Sequence, residues 1–356
     1  MCSEVAGIMF TKIIHPPKEG QKTALLIRLG AWGDMIWASA VVRRMKQDGY
    51  NVTLHCADRG YTVLKHDPNI DRFVVVEDGE LGQGDQLDRF WGLLGKSFDK
   101  VVNLTGSIET SLLVTPSTID PLNGDSVYNW SRDRLHMRCN VNYMDRTMEV
   151  AGYPEDKGVN GSLFFTESEE AWAKAFKTKH PGFLIVWSLG GSAAHKAYPF
   201  AEIVANEILR LYSDVQIVTV GDELCKLLEF DEHPRVTRKA GEMGIRKSLV
   251  LTKYADLVIG PESSVINAAS CFDVPKILLL SHSSVENLSK YWTNTINLSA
   301  NVECYPCHKL HYTLDCPLVD KIKSPVCMGK LPPDRLLEAI ETVYNGWKAK
   351  QPVGVK

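Results

Sequence analysis

The feature that most constrains this chain is an alternation. Short apolar, β-branched runs are each followed by a stretch whose apolar positions recur at helical spacing. Residues 23–29 (TALLIRL), 51–57 (NVTLHCA), 72–78 (RFVVVED) and 100–106 (KVVNLTG) read as strands, and Trp37, Val41 and Met45 recur at i, i+4, i+8 after Gly33. Runs that are apolar throughout belong to a parallel sheet covered on both faces by its crossover helices. A polar, aromatic stretch follows, with a helix predicted over 134–151. The pattern then restarts with strands at 183–189, 215–222, 256–262 and 275–281 and helices near 200–212, 223–230, 243–254 and 263–272. Two successive doubly wound α/β units are therefore predicted, joined within 160–182. A last helix, PPDRLLEAIETVYNGW, begins on prolines suited to a first turn and carries Leu336, Leu337, Ile340, Val343 and Tyr344; it is expected to pack back across the domains.

Composition narrows the class. At 356 residues the chain has room for about two domains of ~100–200 residues each. A net charge of -3 argues against a surface coated in positive charge for gripping nucleic acid, although a local basic groove is compatible with that total. No apolar run approaches the ~18–20 residues needed to cross a bilayer. The first twenty residues lack a basic segment followed by a long apolar one, so no signal peptide is expected. Of nine cysteines, those at 2, 56, 139, 225 and 271 stand alone, which suits a reducing compartment, and a cytoplasmic protein is expected.

Ligands of open α/β sheets bind outside the carboxyl ends of the strands, so the strand-to-helix junctions are where chemistry is sought. The first reads Arg28-Leu-Gly30-Ala-Trp-Gly33-Asp34, where Asp34 is either a helix cap or a catalytic carboxylate. Its glycine spacing does not match a dinucleotide fingerprint. The second, Ser188-Leu-Gly190-Gly191-Ser192 through His195-Lys196 to Tyr198-Pro199, offers amides, a hydroxyl and a cation to a phosphate, or is a solvated loop. The third, Gly260-Pro-Glu262-Ser263-Ser264 with Asn267, opens a helix that could receive an anion, Glu262 either accepting from sugar hydroxyls or capping. The fourth, Gly221-Asp222-Glu223, could face ribose hydroxyls or simply start a helix. The Walker-like tail at 92–97 is discounted, because Phe90 occupies its first glycine position. No Asp-x-Asp occurs, which points to metal-independent handling of a diphosphate.

Taken in order, IRLGAWGD (27–34), VVNLTG (101–106), SLGGSAAHKAYP (188–199), GDE (221–223) and DLVIGPESSVINAAS (256–270) resemble glycosyltransferase family 9, the ADP-heptose:lipopolysaccharide heptosyltransferases, over about residues 23–345. The resemblance implies a GT-B architecture, two Rossmann-like domains facing a central cleft. On this expectation 1–165 form an acceptor-binding domain, 166–330 a nucleotide-sugar-binding domain and 331–356 the returning helix. It further implies Asp34 as general base, Lys196 as the cation on the donor phosphates with Ser192 beside it, and Glu223 on the nucleotide ribose. Gly190, Glu262, Ser263, Ser264 and Asn267 fall on the donor side, and Arg28, Gly33, Arg132 and Arg134 on the acceptor side. The family usually carries Asp-Thr-Gly and a following His where this chain has Glu262-Ser263-Ser264 and Asn267, which affects the identity of the sugar more than the reaction.

The activity implied is inverting, metal-independent transfer of a sugar from an ADP-heptose-like nucleotide-diphosphate sugar to an acceptor hydroxyl. The acceptor would be a lipopolysaccharide core or another glycan, and the site cytoplasmic or at the inner membrane face. Alternatives are the same chemistry on a modified nucleobase in DNA, for which Arg132, Arg134, Arg138 and Lys100 could line a groove, and a non-catalytic nucleotide-sugar-binding module; an epimerase of the same architecture is a third. No cofactor is expected in catalysis. Cys304, Cys307, Cys316 and Cys327, with an x2 spacing in the first pair, suit either a structural zinc site or reduced thiols near the hinge.

Overall fold

A computed structural model describes residues 8–77, 85–311 and 316–351. Cys2 and Asp78, the expected end of one strand, lie outside them, as do residues 352–356 of the C-terminal segment. The chain divides into two compact units, Met1–Ser111 with Tyr143–Phe165 and Leu112–Asn142 with Thr166–Lys356.

The first unit holds strands β1 (Ile8–Ile13), β2 (Thr23–Arg28), β3 (Asn51–Ala57), β4 (Arg72–Val76) and β5 (Lys100–Asn103) in the order β1-β4-β3-β2-β5. All pairings are parallel except β1 with β4. Residues Ala24 to Ile27 are almost fully buried, as the unbroken apolar run requires. Helices α1 (Trp32–Gln47), α2 (Asp58–Leu64) and α3 (Asp85–Gly95) connect the strands. Val41 and Met45 of α1 are buried as expected, and Trp37 meets the ring of Tyr143 at 5.6 Å. The Walker-like tail is the end of α3 and the turn after it, not a strand-to-helix loop.

The predicted helix over 134–151 is two helices, α4 (Arg132–Cys139) and α5 (Tyr143–Val150), and the two belong to different units. The physical reason lies at their junction. The Asn287 side-chain amide donates to the carbonyls of Cys139 and Val141 at 2.7 and 2.9 Å, drawing them out of a helical ladder. Residues 112–142 are held to the second unit by further bonds. The Val114 N–H donates to the His308 carbonyl and its carbonyl accepts from the Leu310 N–H, a parallel bridge across Lys309, and the Ser284 hydroxyl donates to Asn140 Oδ1. The expected boundary at 165 therefore omits an excursion of the chain.

The second unit carries β6 (Phe183–Ser188), β7 (Val215–Val220), β8 (Val236–Arg238), β9 (Leu257–Pro261), β10 (Lys276–Leu279) and β11 (Thr295–Leu298), all parallel, ordered β11-β10-β9-β6-β7-β8. This is the dinucleotide-fold order, with the direction of winding reversing between β6 and β9. Helix α6 (Glu167–Lys179) fills part of the expected linker, started by a reciprocal Thr166–Glu169 capping box. Helices α7 (Ala201–Leu211), α8 (Ile245–Thr252) and α9 (Ser264–Ser270) lie where predicted, but 224–228 is a 3-10 turn. A short α10 (Val326–Gly329) precedes α11 (Pro333–Lys348), which sets Leu336, Ile340 and Tyr344 into the core of the second unit beside Phe183 and Ile208. The returning helix thus belongs to this unit and shares its core. No helix among the described residues is long and apolar enough to cross a membrane.

Candidate functional site

In the first unit the winding reverses between β2 and β5, and the side chains that could do chemistry gather at the carboxyl end of that pair. Arg28 ends β2 and is almost wholly buried. Its guanidinium donates to Glu109 at 2.8 and 3.2 Å and lies 3.2 Å from Asp34. Ala31, not Asp34, is the N-cap of α1; from the third helical position Asp34 Oδ2 reaches back and accepts from the Ala31 N–H at 2.8 Å, so it does help to cap the helix. Capping leaves the second oxygen beside the arginine, and the side chain is 19% exposed. Burial pushes the Asp34 carboxyl above its ordinary range; Arg28 pulls it down and Glu109 pushes it up again. A carboxylate made more basic without losing its charge partner is the kind of group that takes a proton from a hydroxyl.

Gly30 makes the arrangement possible. A Cβ there would lie 2.7 Å from Asp34 Cβ and 2.8 Å from Arg28 Nε. Gly33 lies within the first turn of α1. Glu109, which sequence reasoning missed, stands three residues past Gly106 of the VVNLTG segment, a position that nothing in its own neighbourhood marks.

In the second unit the corresponding reversal lies between β6 and β9. A 3-10 turn, Ala194–Lys196, carries Lys196 back toward β9, where Nζ donates to the Ser192 hydroxyl at 3.2 Å and the Glu262 carbonyl at 3.1 Å. A Cβ on Gly191 would meet Lys196 Cδ at 2.9 Å and the Glu262 carbonyl at 3.0 Å, so glycine opens the path. Gly190 packs against Cys225 in the same way. Ser188 and Ser263 join hydroxyls across the two strand ends at 3.1 Å. Ser264 begins α9, and Asn267 is buried with its Oδ1 unpartnered among the described residues.

Other expected donor groups sit differently. Asp222 accepts from the Cys225 N–H and so caps its 3-10 turn, while Glu223 is largely exposed and pairs with Lys226 at 2.7 Å. Glu262 is turned inward: its carboxylate accepts from the backbone of residues 281–283 rather than facing open space. On α4, Arg132 and Arg134 are about half exposed. Arg132 engages Asp133 and the Glu303 carbonyl, and Arg134 lies 3.4 Å over the Trp130 ring. Lys100, in the other unit, lies over Tyr153 at 3.8 Å.

The eight described cysteines form no disulfide. Cys304, Cys307, Cys316 and Cys327 line one pocket together with His195, His282 and His311. Burial pushes Cys307 up to about 12 and His195 down to about 3, so these two are neutral at pH 7, and Lys309 also lines the pocket. Among the described residues, no three His, Cys, Asp or Glu side chains are disposed to hold a metal ion.

No protein-family profile and no curated protein sequence matches the chain. Its three-dimensional likenesses are plain. E. coli ADP-heptose lipopolysaccharide heptosyltransferase II superposes with a TM-score of 0.62 at 13% identity, covering 92% of this chain and 99% of that one. A glycosyltransferase family 9 protein from Veillonella parvula gives 0.61 at 15% identity, covering 93% and 100%. The iron-containing heptosyltransferase TibC of E. coli gives 0.56 at 10% identity, over 92% of this chain and 77% of that one. The fold is the two-domain GT-B type. At these identities the likeness speaks for the fold, in agreement with the architecture expected from the motifs.

Proposed function

We propose that the protein is an inverting glycosyltransferase. It moves a sugar from an ADP-heptose-like nucleotide-diphosphate sugar to an acceptor hydroxyl of a lipopolysaccharide core or another glycan. One observation supports the reading above the others: each unit gathers its chemistry at its own switch point, a basic carboxylate in the first and a lysine with hydroxyl partners in the second. E. coli heptosyltransferases with this fold include one described with ADP, which favours ADP as the first nucleotide to test.

The chemistry follows from charge. As the acceptor oxygen bonds to the anomeric carbon, its proton passes to Asp34 and the carbon–phosphate oxygen bond breaks. A positioned base contributes ~10²–10⁴-fold to such a step. The leaving nucleoside diphosphate gains negative charge, which Lys196 and Ser192 would meet with preorganised donors. Arg28, buried and shared by two carboxylates, holds Asp34 in place and is not an acceptor contact. Arg132, Arg134 and the Trp130 ring offer an exposed cationic and aromatic face to a glycan or phosphate. On this reading the protein works in the cytoplasm, at the inner membrane face if the acceptor is lipid-borne.

The test is release of nucleoside diphosphate from ADP-, GDP-, UDP- and CDP-sugars in the presence of lipopolysaccharide core acceptors. One donor is expected to be turned over, with inversion at the anomeric centre. Binding of a nucleotide sugar with no turnover on any acceptor would leave a binding module instead, and salt-dependent binding of DNA would favour a nucleobase acceptor. The cysteine cluster is proposed as structural. Elemental analysis of protein purified without added metal, covering iron as well as zinc, separates a metal clasp from reduced thiols.

A further inference from the structure

Glu262 ends buried at the carboxyl edge of β9, between the loops that follow β6 and β10. Its Oε1 accepts from the N–H groups of Ser281, His282 and Ser283 at 3.0, 3.3 and 3.1 Å, and its Oε2 from the Ser281 hydroxyl. Three of these donors crowd Oε1 and the fourth takes Oε2, and the side chain is only 5% exposed, so the carboxylate is taken up by the loop after β10 and turned away from a sugar or ribose hydroxyl. Its backbone carbonyl faces the other way and receives Lys196 Nζ at 3.1 Å. The circle closes through two imidazoles, with His282 Nδ1 and His195 Nε2 lying 3.5 Å apart. One residue therefore ties three successive loops together across the switch point.

A neutral amide could tie two loops. A buried charge carries a desolvation cost of several kcal/mol and is kept where opposite charge is held nearby. Burial pushes the Glu262 carboxyl up, but His282, Lys196 and Ser281 together outweigh it and hold the group ionised. We infer that Glu262 is a positioning residue: its carboxylate anchors residues 281–283 while its carbonyl and its charge aim the Lys196 ammonium at the donor phosphates. The inference rests on the reading of Lys196 as the phosphate cation, and it moves Glu262 from contacting the donor to holding the group that does.

The experiment is amine-reactive labelling of the ligand-free protein, read residue by residue by mass spectrometry. Lys276 serves as internal control, since it is buried at the opposite end of β10 with Nζ on the Thr293 carbonyl at 2.8 Å. Glu262→Gln keeps the volume and one acceptor oxygen but removes the charge. The backbone carbonyl contact survives this change, so the effect read is that of removing the buried negative charge beside the ammonium. Lys196 labelling is expected to rise about tenfold, the scale of one pK unit of lost charge stabilisation, while Lys276 stays protected. Ser281→Ala, which leaves the charge, should keep Lys196 near native protection. Three outcomes overturn the proposal: native-like protection of Lys196 in Glu262→Gln, opening of Lys276 along with it, or equal exposure of Lys196 in Ser281→Ala. A calorimetric arm with ADP is expected to show weaker binding to Glu262→Gln by a similar factor. If the native protein binds no ADP, the ADP-donor reading fails while the labelling still judges Glu262.

Discussion

The two units solve the same placement problem with opposite charges. In the first, a buried arginine is the fixed element and the carboxylate it holds, Asp34, is the partly exposed group. In the second, a buried carboxylate is the fixed element and the lysine beside it is the group assigned to the ligand. In the first the supporting ion ends the strand that leads into the reactive residue's own helix, in the second it follows the neighbouring strand β9, and in both a glycine clears the approach, Gly30 in one case and Gly191 in the other. A doubly wound sheet dictates where such a group stands, and on the proposed roles the buried counter-ion decides whether it is suited to take a proton or to hold an anion.

The comparison breaks most sharply at Asp34. Asp34→Asn should lower turnover by ~10²–10⁴-fold while leaving nucleotide affinity unchanged, measured by nucleoside diphosphate release and by calorimetry. Near-native turnover would remove Asp34 from the chemistry. Gly30→Ala should be next, because its Cβ would meet Asp34 and Arg28 below 3 Å. A loss of about 1–3 kcal/mol in denaturant unfolding is expected, together with most of the activity. Lys196→Ala should instead weaken ADP binding about tenfold or more, the usual worth of a charged hydrogen bond, with the thermal unfolding still cooperative. Unchanged nucleotide affinity would count against its assignment.

The smallest expected effect is on the pH dependence of activity. In the proposed role Asp34 works as the carboxylate, so its raised pKa is expected to make activity fall on acidification sooner than for an ordinary aspartate. Glu109 is one of the groups raising it. Glu109→Gln should therefore lower the Asp34 pKa and move the acidic limb of kcat/KM to lower pH. A limb that moves upward or stays fixed would place the titration elsewhere.

How much of this could be read from the sequence divides along the same physical line. The strands were legible because both faces of a parallel sheet are covered, so 24–27 and 183–187 are apolar without interruption. Asp34 and Lys196 were legible as candidates because strand-to-helix junctions carry them, and the structure gives each a partnered position. What local pattern could not reveal is long-range hydrogen bonding. The break between α4 and α5 is made by Asn287, far along the chain, and residues 134–151 carry no glycine or proline that announces it. Glu262 read as a group for sugar hydroxyls because its four donors come from residues 281–283. Glu109 went unnoticed because its partner, Arg28, is a strand end 81 residues earlier.

The excursion of residues 112–142 has a consequence for how the chain emerges from the ribosome. That segment leaves the first unit, joins the second through Asn287, Ser284 and the strip at 308–310, and then returns to the first. Its partners are translated long after it, and at ~5–20 residues per second the wait is roughly ten to thirty seconds. During that interval the nascent first half holds a loop whose apolar residues, Val114, Val127, Leu135 and Cys139, have only their own small cluster with Tyr128 and Trp130 to bury against. Folding of the front half is thereby tied to completion of the back half, and a fragment ending before that point would display this loop to chaperones and proteases.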